Sequence, residues 1–310
     1  MATDPRPVLA IVGPTASGKS ELGLRVARQA DGEIVNADAL QVYRGLDVGT
    51  AKPTPEERRE VPHHLIDVLD PEERFSAGEF ARRGRQAIEE VRGRGRLPIV
   101  VGGSGFYLQA LFEGLSPLPP SDPELRRELS RRAAEEGPEA VHAVLAAVDP
   151  ATARRLAPAD VQRVVRALEV AITTGRPLSR WIAERPAGED PLPAVRVALT
   201  LPRTLLYDRI AARVARMLTQ GWVEEVRDLL DRGVDPEAPA FQAIGYRQMV
   251  RFVREEWSLD EAVADTVRAT RRFAKRQLTW FRNEADVHGL DPRQLSGGIS
   301  EVLELVQSRS

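Results

Sequence analysis

Residues 8–27 read VLAIVGPTASGKSELGLRVA, in which an apolar run, a glycine-containing loop and a helix-forming segment follow one another. The order strand, loop, helix is the context in which the pattern G-x-x-x-x-G-K-[ST] of residues 13–20 binds phosphate. Glycines let the loop turn tightly, so that its backbone N–H groups point at phosphate oxygens, and the helix N-terminus adds a partial positive charge. The stretch therefore predicts a phosphate-binding loop, or P-loop, that opens an α/β fold.

The whole loop is predicted to line the phosphate site. We expect the Lys19 ammonium to reach the terminal phosphate and the Ser20 hydroxyl to bind Mg²⁺. The predicted phosphate-binding residues are Gly13, Pro14, Thr15, Ala16, Ser17, Gly18, Lys19 and Ser20. The motif alone leaves open whether the phosphate belongs to a nucleotide.

Composition limits the class of protein. A chain of 310 residues with 42% apolar residues can bury a sizeable core, as one large domain or two ordinary ones. Cysteine is absent, the longest apolar runs are strand-sized and no signal-peptide pattern is present, so we expect a cytoplasmic protein without a membrane segment. A net charge of −2 does not indicate a nucleic-acid binder, so such a role requires a local basic surface.

Lysine is rare in this chain. Only Lys19, Lys52 and Lys275 are lysines among the 44 basic residues. We interpret these positions as places where a compact ammonium cannot be exchanged for a planar guanidinium.

Two further segments are predicted to end beside the P-loop. Residues 33–37 form a short strand followed by Asp38, and ligands of open α/β sheets lie beyond the carboxyl ends of strands. Asp38 is therefore a candidate site residue, and a metal-site carboxylate of the Walker-B kind is one interpretation of it. Residues 97–108 predict another strand that runs into a glycine turn, where the Ser104 hydroxyl either binds a ligand or only serves the turn.

The middle of the chain is predicted to be a helical insertion. Residues 115–120 are rich in proline and predict a hinge, the signals up to residue 193 are helical, and residues 195–200 read as a strand again. We therefore predict an α/β core of residues 1–120 and 194–310 and an all-α insertion of residues 121–193. On the predicted helix 161–174, the apolar stripe consists of Val161, Val164, Val165, Leu168 and Ile172.

Two later helices carry basic residues at helical spacing. Arg209, Arg213 and Arg216 either clamp a diphosphate or form an exposed row. The predicted helix 266–282 interleaves basic and aromatic residues, which fits a nucleic-acid contact surface or an ordinary amphipathic helix. Its basic positions include Arg268, Arg272, Lys275 and Arg282.

The chain resembles the bacterial tRNA dimethylallyltransferases, also called tRNA isopentenyltransferases, from the P-loop to the last predicted basic helix. The number and order of the matching segments make the resemblance specific. These segments are residues 13–20, NADALQVYRG at 36–45, GTAKP at 49–53, PHHLID at 62–67, VGGSG at 101–105, 162–170, QAIGY at 242–246 and 271–282. The family commonly has serine and methionine where this chain has Ala39 and Leu40.

The resemblance implies a reaction and roles for residues. The family transfers a dimethylallyl group from dimethylallyl diphosphate to the exocyclic N6 amine of the adenosine just 3′ of the anticodon of tRNA, and it releases diphosphate. By this resemblance Asp38 is the general base, Lys19 and Ser104 complete the catalytic set, Arg213 contacts the diphosphate, and Mg²⁺ is the cofactor. The implied tRNA-binding residues are Asp38, Ala39, Leu40, Gln41, Ser104, Arg126, Gln162, Arg163, Val164, Val165 and Arg166. A monomer is expected.

Two other functions stay open from the residues alone. A P-loop kinase or NTPase would use the same loop and a metal-binding carboxylate. A structural RNA-binding protein would leave the P-loop without a role.

Overall fold

A computed structural model describes residues 7–116, 118–183, 191–284 and 286–308, without the side chains of residues 294–297. Pro117 of the predicted hinge lies outside the described residues. The chain divides into two compact units. The core unit comprises the residues up to Phe112 and those from Pro191 onward, and the helical unit comprises Glu113–Asp190.

The boundaries of the helical unit precede those predicted at residues 121 and 193. The Leu192 N–H donates a hydrogen bond to the Phe112 carbonyl oxygen (2.8 Å), which ties together the two points where the chain leaves and re-enters the core unit. The proline-rich stretch after Phe112 therefore belongs with the helical residues.

The described residues contain six strands and fourteen α-helices. The strands are β1 Val8–Val12, β2 Gly32–Ala37, β3 His63–His64, β4 Leu97–Gly102, β5 Ala194–Leu199 and β6 Val287–Leu290. The helices are α1 Lys19–Ala30, α2 Pro55–Glu60, α3 Ala77–Gly93, α4 Gly105–Glu113, α5 Pro123–Glu135, α6 Pro138–Val148, α7 Pro150–Ala153, α8 Val161–Thr174, α9 Leu178–Ala183, α10 Arg203–Thr219, α11 Trp222–Asp231, α12 Tyr246–Val253, α13 Leu259–Arg282 and α14 Leu295–Gln307.

The strands of the core unit form one parallel sheet in the order β3-β2-β4-β1-β5-β6. Strands β1, β2 and β4 are buried along their whole length, as expected of a parallel sheet covered on both faces. In β1, Leu9 and Ile11 pack on one side with residues of α1 and α14. Val8, Ala10 and Val12 pack on the other side with residues of α3 and α4. The predicted α/β core is confirmed.

A second hydrophobic core of the core unit lies among the later helices. Trp222 and Tyr246 are fully buried there, with ring centroids 5.8 Å apart in a T-shaped arrangement. Helix α13 begins earlier than predicted, at Leu259, because Ser258 and Glu261 form a capping box that satisfies the first backbone N–H groups.

The regular secondary structure of the helical unit is entirely helical among its described residues. The unit has its own hydrophobic core. Helix α8 has the predicted bounds, and Gly175 ends it in a left-handed conformation. Val164, Val165 and Leu168 are buried as predicted, but Ile172 is 55% exposed. At 3.6 residues per turn Ile172 lies on the same face as Val165 and Leu168, so this face is covered as far as Leu168 but not at Ile172. Glu169 and Val170, on other sides of the helix, are buried as well.

Candidate active site

The candidate site lies where three neighbouring strands of the core unit end. Val12, Gly102 and Ala37 are adjacent in the register of β1, β4 and β2, so the P-loop, the glycine turn and Asp38 begin at the same edge of the sheet. The strands approach closely at Gly102, where a Cβ atom would lie 2.3 Å from the Ala37 carbonyl oxygen. A Cβ atom at Gly103 would lie 2.8 Å from the Gly13 carbonyl oxygen. Glycine at both positions therefore brings the second turn against the P-loop.

The P-loop has a compact geometry that depends on glycine. Gly13 and Gly18 have φ angles of 147° and 100°, which L side chains rarely adopt. Ser17 is fully buried, and its hydroxyl has no hydrogen-bond partner among the described residues. The Lys19 Nζ atom donates to the Pro14 carbonyl oxygen (2.9 Å), while Ser20 is exposed in the first turn of α1. The loop thus holds polar groups that an anion can satisfy.

The surroundings of Lys19 have opposing effects on the pKa of its ammonium. Burial lowers the pKa of its ammonium to about 8, and the Arg213 guanidinium contributes in the same direction. The negative charge of Asp38 opposes this shift. Burial removes water from this ammonium and makes its charged form less stable. A bound phosphate would stabilise the charged form again, because it supplies an opposite charge.

Asp38 is held in place by hydrogen bonds to residues close to it in sequence. Its Oδ1 atom accepts a hydrogen bond from the Leu40 N–H (2.9 Å), and its own N–H donates to Asn36 Oδ1 (3.2 Å). Asn36 is in turn buried and donates to the Leu65 carbonyl oxygen (3.2 Å). The Asp38 carboxylate interacts electrostatically with Lys19 and Arg213. Ala39 and Leu40 follow it, both half-buried.

Arg213, the second of the three arginines predicted on α10, contacts a loop of the candidate site. Its Nη2 atom donates to the Thr50 carbonyl oxygen (2.9 Å). Burial lowers the pKa of Arg213, whereas the charge of Asp38 raises it. The Gln41 amide donates to the carbonyl oxygens of Thr50 (3.3 Å) and Ala51 (3.2 Å). Arg216 is exposed, in agreement with the interpretation as a surface row.

The glycine turn after β4 places Ser104 at the start of α4. The Ser104 carbonyl oxygen accepts hydrogen bonds from the Tyr107 (2.9 Å) and Leu108 (3.0 Å) N–H groups, and Ser104 is half-buried. Burial raises the pKa of the Tyr107 phenol, and the charges of Tyr43 and Asp38 act in the same direction. Ser104 therefore lies on the turn that faces the P-loop, as predicted from the strand ends.

Gln277 is a site residue that the sequence analysis missed. Its Oε1 atom accepts from the Thr15 N–H (2.9 Å), and its Nε2 atom donates to the Gly103 carbonyl oxygen (2.8 Å). A Cβ atom at Gly103 would lie 2.5 Å from this Nε2 atom. Gln277 thus joins the P-loop to the second turn from α13. The signal for it was its position between Ala274 and Phe281 on the buried side of that helix, where a polar side chain needs partners.

In the helical unit, two predicted tRNA contacts bind a buried carboxylate. Glu169 is fully buried and forms ion pairs with Arg126 (2.8 Å) and Arg166 (2.9 Å), and it accepts from the Asp122 N–H (2.6 Å). Burial alone would raise the pKa of Glu169, but the hydrogen bond from Arg126 and the Arg166 guanidinium outweigh it and lower the pKa. Arg126 and Arg166 are therefore parts of the unit's own structure.

The other predicted residues of α8 divide into an exposed pair and a buried pair. Gln162 is exposed, as is the Arg163 side chain (75%), which lies near Asp160 (3.3 Å). The side chains of Val164 and Val165 are in the hydrophobic core of the unit, and the part of these residues in binding tRNA stays a prediction.

This division separates two effects of substitution on α8. We expect Arg163→Ala to raise the KM for tRNA without changing stability by more than about 0.5 kcal/mol, because it is a surface substitution. Arg166→Ala leaves Glu169 buried with one partner fewer and should lower the free energy of unfolding by about 1–3 kcal/mol. Thermal unfolding and steady-state kinetics with tRNA check both variants. If Arg163→Ala instead raises the KM for dimethylallyl diphosphate, the proposed placement of tRNA on α8 is wrong.

Helix α13 presents the predicted basic residues to solvent. Arg268, Arg272 and Lys275 are exposed, and Arg268 is paired with Asp265.

Among the described residues no helix is long and apolar enough to cross a membrane.

A parallel sheet whose first strand opens into a P-loop, with a carboxylate after the strand that lies two positions away at the same edge, defines an α/β protein of the P-loop NTPase-like class. The chain belongs to the IPP transferase family, because the sequence model of that family matches residues 41–284.

Similar proteins cover nearly the whole chain. It is 48% identical over 297 residues to a tRNA dimethylallyltransferase of Syntrophobacter fumaroxidans, covering 96% of this chain and 87% of that protein. A tRNA dimethylallyltransferase of Thermomicrobium roseum is 49% identical over 304 residues, or 97% of this chain and 91% of the relative.

Solved structures agree with these relatives. The full-length tRNA isopentenylpyrophosphate transferase of Bacillus halodurans matches with a TM-score of 0.70 and 37% identity, covering 98% of this chain and 97% of that one. A eukaryotic dimethylallyltransferase acting on tRNA matches with a TM-score of 0.76 and 30% identity, covering 93% of this chain and 74% of that one.

Proposed function

We propose that this protein transfers a dimethylallyl group from dimethylallyl diphosphate to the N6 amine of the adenosine just 3′ of the anticodon in tRNA. In this reaction the C–O bond to the diphosphate breaks, an N–C bond forms, and the amine loses one proton. The observation that carries the proposal is that Asp38 follows β2 at the edge of the sheet where the P-loop begins, and that its charge acts on Lys19 and Arg213. This arrangement supports a base close to a diphosphate site.

The P-loop suits the departure of diphosphate. The barrier lies in separating an anionic leaving group from an allylic carbon that develops positive charge. The fixed donors for the charge that develops on the leaving oxygens are the Lys19 ammonium, the Arg213 guanidinium and P-loop N–H groups. The N–H groups of Thr15 and Ser17 are not among them, because they already donate to Gln277 and Pro14. Because Gln277 and Thr50 hold the surrounding backbone and Arg213, these donors need little reorganisation during the reaction.

Asp38 suits the removal of the proton from the attacking amine. An adenine amine is weakly basic, so a positioned carboxylate that accepts its proton assists the attack. The hydrogen bond from the Leu40 N–H fixes one carboxylate oxygen. The adenine must leave its stack to reach a site at the edge of the sheet, which explains why such an enzyme flips its target base.

Mg²⁺ fits the residues at the P-loop. The exposed Ser20 hydroxyl at the start of α1 is a hard oxygen donor, and no group of three or more acidic, histidine or cysteine side chains among the described residues offers a separate metal site. Mg²⁺ ordinarily keeps several waters and shares its remaining ligands with substrate phosphates. Ser20 would hold the ion, which when bound neutralises charge on the diphosphate.

The alternative function is a P-loop kinase or NTPase, and one experiment separates the two. The protein is incubated with unmodified tRNA, Mg²⁺ and either dimethylallyl diphosphate or ATP, and the digested nucleosides are weighed by mass spectrometry. A dimethylallyl increment on adenosine supports the transferase. Consumption of ATP without that increment supports the alternative.

The monomeric state and the cytoplasmic location stay predictions.

Binding of tRNA should depend on salt despite the net charge of −2. Each phosphate contact releases counterions, so log K falls with log salt by about 0.7 per contact on single strands. Replacing Arg268, Arg272 and Lys275 together with alanine should flatten this slope by up to about two units and weaken all tRNAs alike. Filter binding at several salt concentrations measures the slope. An unchanged slope would mean that this face of α13 is only solvated.

A further inference from the structure

Glu225 is a carboxylate of the core unit that the proposed reaction does not use. It lies on α11 and accepts hydrogen bonds from three consecutive backbone N–H groups of a loop distant in sequence. Its Oε2 atom accepts from Asp47 (2.8 Å) and Val48 (2.6 Å), and its Oε1 atom accepts from Gly49 (3.2 Å). A single anion thereby fixes the backbone of the loop 47–49.

Two buried aromatic side chains, Trp222 and Tyr246, pack against the loop 47–49 next to Glu225. The Tyr246 hydroxyl donates to Glu225 Oε1 (2.6 Å), and Tyr246 is fully buried against Trp222. A Cβ atom at Gly49 would lie 2.0 Å from Trp222 Nε1 and 2.6 Å from Tyr246 Cζ. The loop can approach the two rings so closely only because residue 49 is glycine. Hydrogen bonds to the loop backbone and ring contacts at Gly49 therefore both fix the position of the loop.

The residue that follows this loop segment contacts the candidate active site. The Thr50 carbonyl oxygen accepts from Arg213 Nη2 (2.9 Å) and from the Gln41 amide (3.3 Å). The Thr50 hydroxyl donates to the Leu46 carbonyl oxygen (2.7 Å), which closes the loop on itself. Displacing the peptide groups of residues 47–49 would therefore displace the acceptor that orients the Arg213 guanidinium.

We propose that Glu225 is a positioning residue for the diphosphate site, which acts through the loop 47–50 on Arg213. It does not touch the substrate. Its carboxylate holds three N–H groups, these hold the Thr50 carbonyl oxygen, and that oxygen aims Arg213 at the phosphates. The inference rests on the proposed function in one respect, namely that Arg213 contacts the diphosphate.

The test is the affinity for inorganic diphosphate with Mg²⁺, measured by calorimetry. In Glu225→Gln the side-chain NH₂ group must face an N–H donor, since one amide oxygen cannot replace both carboxylate oxygens. We expect the Kd to rise about tenfold, the loss that follows when one hydrogen bond to a charged group is misplaced. The matched control is Glu224→Gln on the neighbouring exposed residue, which should keep the wild-type Kd.

A double-mutant cycle separates positioning from general loss of structure. If Glu225 acts through Arg213, Glu225→Gln should no longer change the Kd in an Arg213→Ala background. An equal rise in both backgrounds would overturn the proposal. Kinetics give a second criterion, because a smaller folded fraction lowers kcat alone, whereas misplaced Arg213 raises the KM for dimethylallyl diphosphate.

Tyr246→Phe keeps the test decisive if Glu225→Gln does not fold. This variant retains the ring against Gly49 and removes only the hydroxyl that donates to Glu225, so a smaller rise in Kd is expected. A wild-type Kd in Tyr246→Phe and in every folded Glu225 variant would overturn the proposal. A wild-type protein that binds diphosphate but does not prenylate tRNA would contradict the proposed function and leave this inference standing.

Discussion

Asp38→Asn should lose about 10²–10⁴ in the rate of prenyl transfer, the usual cost of removing one positioned base, while both substrates still bind. Asparagine keeps an oxygen that can accept the Leu40 N–H hydrogen bond seen for Asp38 Oδ1, so the local backbone is preserved. The amide cannot take the proton of the attacking amine. Single-turnover assays with saturating tRNA measure the chemical step directly.

The control is Asp70→Asn, because Asp70 is an exposed carboxylate paired with Arg44 (2.8 Å) on the same unit. It should keep the wild-type rate. If Asp38→Asn turns over normally, Asp38 is not the base. If it chiefly weakens Mg²⁺-dependent binding of diphosphate, the metal-site interpretation of Asp38 is correct instead.

Features encoded by neighbouring residues could be predicted from the sequence. The P-loop follows from twenty consecutive residues, and Asp38 follows from one strand end, since parallel strands of one sheet direct their carboxyl ends to the same edge. The bounds of α8 were predicted from the apolar stripe and Gly175. In each case the residues that carry the sequence pattern are close in sequence to the residues that form the structure.

Contacts between distant segments could not be predicted. Gln277 bonds to Thr15 across 262 positions of sequence, and nothing near either residue specifies the other. Arg126 and Arg166 look like exposed basic residues on amphipathic helices until Glu169 is seen to be buried between them. Selecting Arg213 from a row of three arginines likewise required the position of Thr50.

The three lysines differ in their surroundings, and the interpretation that they cannot be exchanged for arginine stays a prediction. The Lys52 side chain is 1% exposed, and its ammonium donates to the Tyr43 carbonyl oxygen (2.7 Å), Asp47 (2.6 Å) and Asp67 (2.6 Å). So compact a set of acceptors suits an ammonium better than a guanidinium. Lys275, by contrast, is exposed on α13, and nothing in its surroundings requires lysine.

Lys19→Ala should weaken diphosphate binding about ten- to a hundredfold and lower turnover as well, because its charge serves the bound substrate and the transition state alike. Lys19→Arg should not restore function. The ammonium donates to the Pro14 carbonyl oxygen within the loop (2.9 Å), and a guanidinium is wider and planar, so we expect it to place its charge differently. Calorimetry with diphosphate and single-turnover kinetics measure the two effects. A loss of turnover at unchanged affinity would show that Lys19 acts in the transition state only.

The same residue gives the wild-type protein a dependence on pH. Burial lowers the pKa of Lys19 from 10.5 to about 8 in the free protein, so the ammonium is charged below that pH and neutral above it. Dimethylallyl diphosphate, like a phosphate monoester, completes its last ionisation at about pH 6, so the charge of this ligand is constant in this range. Since dimethylallyl diphosphate binds the charged form of Lys19, its affinity should be level below about pH 8 and then fall, approaching about tenfold per pH unit. Lys19→Ala should show no such fall between pH 7 and 9.5, and a flat wild-type profile over that range would mean that Lys19 stays charged without its ligand.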